Sequence, residues 1–151
     1  MSEDGRRINN NFSFWQRWLL VVGVVISVSG IMIVLLSGTP LFDMFNRQID
    51  PVFWGPNTVE DNAKGFQQWI YGVLGATMAG WGVFMTFIAH YSFRNKEKWA
   101  WNCMFVGMLV WFVLDTSISI FHKVYFNAVF NTGLLIIAML PVVLTRKYFI
   151  Q

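Results

Sequence analysis

Four stretches of this sequence carry no Asp, Glu, Lys or Arg: residues 18–36, 66–93, 99–114 and 124–145. A hydrocarbon core of about 30 Å is crossed by roughly 20 apolar helical residues. Each stretch, with its flanks, therefore predicts one membrane-spanning helix, at about residues 15–37, 66–91, 99–121 and 124–145. These spans use up most of the chain. Residues 1–151 thus predict a single all-α domain, an integral membrane four-helix bundle.

The polar stretches divide unevenly between the spans. Residues 1–13, with Asn9, Asn10 and Asn11 in a row, predict a loose tail. Residues 38–65 form the one long connection, and a structureless loop of that length without function is uncommon. Within it Pro40 ends the first helix. Leu41, Phe42, Met44, Phe45 and Ile49 set against Asp43, Asn46, Arg47 and Gln48 predict a short helix lying in the interface. Residues 51–56, Pro-Val-Phe-Trp-Gly-Pro, predict an extended aromatic turn, and Asn57 with Glu60 three residues on predicts the cap of the next helix. The turn at residues 94–98 is short, which predicts that the second and third spans are antiparallel neighbours.

Small residues inside the spans predict where helices touch. Gly23, Ser27 and Gly30 in the first span allow a second helix to approach closely, and Gly72, Ala76 and Gly80 form a stripe at i, i+4, i+8 in the second. Pro141 in the fourth span frees a carbonyl, which Thr145 or a neighbouring helix must satisfy.

Composition agrees with a membrane protein: 56% of residues are hydrophobic and only 13% charged, against about 25% charged in soluble domains. Alternating spans put Arg6, Arg7, Arg17, Arg94, Lys96, Lys98, Arg146 and Lys147 on one side and only Arg47, Lys64 and Lys123 on the other. The positive-inside rule then predicts both termini in the cytoplasm, N-in and C-in, with the long loop outside. The net charge of +3 is this bias, and no nucleic-acid partner is expected. Asn11-Phe12-Ser13 matches a glycosylation site but falls on the cytoplasmic side. A single cysteine, Cys103, excludes an internal disulfide framework or a C-x-x-C pair. The first apolar run is longer than a signal-peptide core and lacks an A-x-A site, so it predicts a retained span.

Chemistry concentrates at residues 111–122, Trp-Phe-Val-Leu-Asp-Thr-Ser-Ile-Ser-Ile-Phe-His. A carboxylate inside a span is costly and marks a site or a staple. Asp115 lies seven residues before His122, hence about 10 Å below the outer turn. Trp111, Asp115, Ser119 and His122 share one helical stripe. Asn127 and Asn131 on the fourth span, and Gln68 and Tyr71 on the second, fall in the same outer third. The candidate ligand-binding set is therefore Asp115, Ser119, His122, Tyr71, Gln68, Asn127 and Asn131, roofed by the long loop. A polar staple holding the spans in register is the competing reading.

His90 and His122 end opposite sides of the bundle and cannot share a metal or haem. No metal site and no cofactor are expected, and no phosphate loop or nucleophile elbow is present.

The segments GATMAGWG, WAWN and WFVLDTSIS resemble a group of small bacterial four-helix membrane proteins whose motifs are not linked to a known reaction. The helix number and size are also similar to DoxX-like proteins. The resemblance implies a bacterial cytoplasmic membrane and a link to quinone or respiratory chemistry. Three functions are compatible with the sequence. The first is binding of a small or amphipathic, lipid-like ligand in the outer-leaflet pocket. The second is an enzyme or respiratory-type subunit acting on a lipid or quinone, with Asp115 and His122 moving protons. The third is a structural subunit, homo-oligomeric or joined to a membrane partner, which would leave a small-residue face uncovered.

Overall fold

A computed structural model of the chain describes residues 3–55 and 60–150, with residues 3–9 as backbone only. Five α-helices follow one another: α1 (Glu3–Leu36), α2 (Asp43–Phe53), α3 (Asp61–Ile88), α4 (Lys98–Phe121) and α5 (Tyr125–Thr145). All but α2 are long and apolar enough to cross a membrane. The ends of α4 and α5 follow from the charge-free runs, which stop at charged or aromatic flanks.

Two segments differ from the sequence expectation. The polar tail is helical from Glu3, because α1 continues outward and Phe12 is buried among Phe93, Tyr148 and Phe149 at ring distances of 6.1, 5.1 and 6.1 Å. Pro51, Val52 and Phe53 form the last turn of α2 rather than an extended segment. Proline near a helix end removes only one ladder bond, so α2 tolerates it. The expected cap at Asn57 lies outside the described residues. Glu60 occupies the cap position of α3 without a side-chain hydrogen bond to it.

The tightest pairing is α1 with α3, not α3 with α4. Gly23, Ser27 and Gly30 on α1 meet Gly82, Ala79 and Gly75 on α3, so close that a Cβ added at Gly30 would lie 2.4 Å from the Ala79 nitrogen. One added at Gly82 would lie 2.5 Å from the Ser27 nitrogen. Only glycine permits backbones to approach this far. The stripe Gly72, Ala76 and Gly80 is not this seam: added Cβ atoms at Gly72 and Gly80 meet nothing within 4 Å. The second close pair is α4 with α5, and α1 also packs on α5. Between α3 and α4 the helices stand further apart, with the large rings of Trp81 and Trp111 bridging the gap at 5.5 Å.

The two short turns explain how the chain reverses without glycine. Lys96 and Lys123 take left-handed φ values of 59° and 63°. Around them Glu97 N donates to Ser92 O and Lys96 N to Phe93 O. Val124 N likewise donates to Ser119 O and Lys123 N to Ile120 O. This is the Schellman pattern that satisfies the last carbonyls of a helix, with lysine where glycine is usual.

Helix α1 also repairs the irregularities of its neighbours. After Ile88 the chain widens into a π-turn over Ala89–Phe93, which leaves a carbonyl mispaired. The buried Gln16 amide donates to Ala89 O at 2.9 Å. In α5, Pro141 lacks the N–H that would bond Ile137 O, four residues back. The Trp18 indole of α1 donates to that carbonyl at 3.1 Å. Thr145 Oγ1 donates instead to Pro141 O at 2.6 Å, so the neighbouring helix and not Thr145 takes the freed carbonyl. Ser27 completes the set with a bond to Ala79 O at 3.1 Å.

The apolar core is concentrated at the end of the bundle that holds both termini, where Phe12, Leu19, Met85, Phe93, Met104, Val142 and Phe149 are buried together. The loop end is more polar, and its buried groups include Ser37, Ser119 and Asn131.

Candidate functional site

At the loop end the candidate residues fall into two groups rather than one pocket. The first joins α4 to α5. Asn127 Nδ2 donates to Asp115 Oδ1 at 2.8 Å and to Ser119 Oγ at 2.8 Å. Ser119 Oγ in turn donates to its own helix at Asp115 O, 2.7 Å away, and lies 3.3 Å from Asp115 Oδ1. One turn deeper, Asn131 Nδ2 reaches Thr116 Oγ1 at 3.4 Å. The i, i+4 stripe on α4 and the i, i+4 pair Asn127 and Asn131 on α5 thus face each other. The Asp115 carboxylate thus has the Asn127 amide as its donor, with the Ser119 hydroxyl beside it.

His122 is not part of this cluster. It is exposed at the end of α4, with its ring against Phe121 at 5.1 Å and Phe53 at 5.8 Å. Among the described residues no hydrogen bond joins it to Asp115. General acid–base work by this pair would require both at one reacting atom, and the geometry offers no such point.

Gln68 and Tyr71 belong to the second group, between the end of α1, α2 and the first turns of α3. There the chain forms a half-open cavity of about 260 Å³ lined by Ser37, Gly38, Thr39, Asp43, Asn46, Arg47, Asp50, Lys64, Gln67, Gln68 and Tyr71. Gln67 Nε2 donates to Asp50 Oδ1 at 2.8 Å and to Tyr71 Oη at 2.9 Å, which ties α2 to α3. Phe42 packs on Tyr71 and Phe45, both at 5.0 Å, and Phe45 on Phe126 at 6.1 Å, so α2 lies down on the bundle. Its charged face is turned to the cavity.

The lining carries both signs of charge, Arg47 and Lys64 with Asp43 and Asp50. Lys64 sits 3.5 Å from Asp61 in an exposed pair that contributes little. Asn46 Oδ1 is buried there without a hydrogen-bond partner, a condition that costs on the order of 1–3 kcal/mol if nothing fills it. The sequence did not single out Asp43, Asn46, Arg47 or Asp50 as site residues. Their i, i+3, i+4, i+7 spacing along α2 was the available signal.

Among the described residues no three His, Cys, Asp or Glu side chains are grouped to hold a metal ion. Comparison with protein-family models, curated proteins and solved structures finds no match to this chain.

Proposed function

We propose that the protein is a multi-pass protein of a bacterial cytoplasmic membrane, with both termini cytoplasmic, that binds a small zwitterionic or amphipathic ligand at its outer end. The observation that carries this reading is the cavity beneath α2, with both signs of charge on its lining and the unpartnered Asn46 Oδ1 beside it. An anionic group of the ligand would face Arg47 and Lys64, and a cationic group would face Asp43 and Asp50. An apolar tail has Leu41 and Met44 beside it, both exposed. The volume is below the roughly 300–1,000 Å³ of pockets for drug-sized ligands, which favours a headgroup-sized molecule. Asp115, Ser119 and Asn127 act in this reading as the staple between α4 and α5.

Thermal unfolding of the purified protein with phosphoethanolamine and free amino acids as probes tests this. A binding probe stabilises the folded state by an amount set by its concentration over Kd. At least one probe should raise the Tm of the wild type and of Asp115→Asn, and fail to do so in Asn46→Leu and Arg47→Gln. A shift absent from the wild type, or retained in both cavity variants, refutes the reading. A shift lost only in Asp115→Asn would put the ligand at Asp115 instead.

A second reading, an assembly subunit, is favoured by the open small-residue face at Gly72, Ala76 and Gly80. Gly80→Leu should then abolish cross-linked dimers while leaving the monomer folded. A wild type that stays monomeric in bilayers refutes it.

A further inference from the structure

The end of the bundle that holds both termini contains a second cavity, remote from the loop end and independent of the ligand reading. It measures about 230 Å³ and is lined by Lys98, Trp101, Asn102, Arg146, Phe149 and Ile150. These residues come from the first turn of α4 and from the segment just after α5, brought together because α4 and α5 pair along their length. We infer that this cavity is a binding site for the phosphate of an anionic phospholipid headgroup.

The charge of the lining points to an anion. Both ionisable residues are basic and no carboxylate is among them. Glu97, adjacent in sequence, has its carboxylate engaged by the Trp99 indole. The one ion pair among the described residues is Lys64 with Asp61, so among those residues no carboxylate pairs with Lys98 or Arg146. Arg146 is instead held over the face of Trp101, with its guanidinium carbon 5.8 Å from the ring centroid. Trp101 is itself fixed: its indole donates to Val142 O at 2.7 Å and its ring stacks on Phe105 at 4.9 Å. Val142 O is free to accept because the chain tightens at Arg146 into a 3₁₀ turn. The guanidinium is thus pre-positioned by a locked ring, with its donors available to a planar or tetrahedral oxyanion. The Asn102 amide adds a neutral donor.

The apolar part of the lining points to a lipid rather than a free ion. Phe149 is buried against Phe93 at 4.7 Å while Ile150 is exposed, so one wall is greasy. The cavity also opens where the charge-free run of α4 begins, the level at which Trp99 and Trp101 mark the headgroup layer. Basic pockets between helices at that level suit anionic headgroups.

The test is native mass spectrometry of the protein released from nanodiscs of phosphatidylglycerol or of phosphatidylcholine. Phosphatidylglycerol should be retained and phosphatidylcholine should not. Retention should fall about fivefold for each cation removed in Lys98→Gln and Arg146→Gln, while Lys98→Arg keeps it. Arg94→Gln removes an exposed charge outside the cavity from the same end and should leave retention unchanged. Inorganic phosphate at millimolar concentration should not displace the lipid. Equal loss in Arg94→Gln would show surface charge alone and overturn the site. Displacement by phosphate, or equal retention of both lipids, would overturn the lipid assignment. Should Arg146→Gln not fold, Lys98→Gln decides, since that side chain is exposed.

Discussion

The same substitution, glycine to alanine, made two residues apart on α3, should change stability in opposite directions. At Gly82 a Cβ would lie 2.5 Å from Ser27 N, 2.6 Å from Ser27 Oγ and 2.7 Å from Gly23 O. Two of these three atoms are backbone and cannot swing away. Ordinary carbon contacts lie near 3.5–4.0 Å, so α1 and α3 must separate locally by about 1 Å. A gap of that size forfeits roughly a quarter to a half of the dispersion well for every atom pair it affects. Overpacking of this kind costs about 1–3 kcal/mol, and we place Gly82→Ala in the upper half of that range because the clash is with backbone. At Gly80 an added Cβ meets nothing within 4 Å. Alanine there removes backbone freedom from the unfolded chain and gains up to about 1 kcal/mol. Equilibrium unfolding in mixed micelles, followed by far-UV circular dichroism, reads both variants on one scale. A difference between the two below about 1 kcal/mol would refute the claim that the Gly75, Ala79, Gly82 face carries the contact with α1.

Four other outcomes follow from the same structure. Asp115→Asn keeps an oxygen for Asn127 and should unfold within about 1 kcal/mol of the wild type, whereas Asp115→Leu should cost up to about 1.7 kcal/mol, the upper value for membrane hydrogen bonds; equal losses would contradict the staple. Gln16→Leu leaves Ala89 O unpaired and should cost about 1–2 kcal/mol, and a neutral result in the same unfolding assay would mean that the π-turn needs no partner. Lys123→Gly relieves a left-handed residue in the α4–α5 turn and should raise stability by about 0.5–1 kcal/mol; a loss would show that the lysine side chain is needed there. In a Cys103→Ser background, Asn62→Cys on intact cells should react with a membrane-impermeant maleimide and Asn95→Cys only after lysis, while the reverse pattern would invert the proposed orientation.

The four long helices were legible because hydrocarbon imposes length and excludes charge, and those two constraints leave plain marks in a sequence. The ends of α4 and α5 came out within about a residue for that reason. Pairing was less legible. Two small-residue stripes run along α3, two to three residues apart, and small residues within α3 do not choose between them. The choice is made by α1, where Gly23, Ser27 and Gly30 repeat the i, i+4, i+7 spacing of Gly75, Ala79 and Gly82. The helical start at Glu3 was hidden because a run of asparagines reads as tail, whereas Phe12 within it is buried among three rings. The polar layer at the loop end was legible as a depth. Its division into a staple and a cavity was not, since that depends on how α2 lies across α3.

The donors of α1 have a consequence for how the protein is made. Gln16 and Trp18 leave the ribosome with the first helix, and the carbonyls they serve, at Ala89 and Ile137, come 73 and 119 residues later. Until α5 arrives, the Trp18 indole N–H lacks its native acceptor, and until α5 touches α1, the proline-freed carbonyl lacks its native donor. The α4–α5 hairpin is therefore incomplete on its own, and closure of the bundle joins α1 to α5. Insertion order is thereby written into two side chains, and a chain that stops before α5 carries an open donor by which an incomplete product can be distinguished from a finished one.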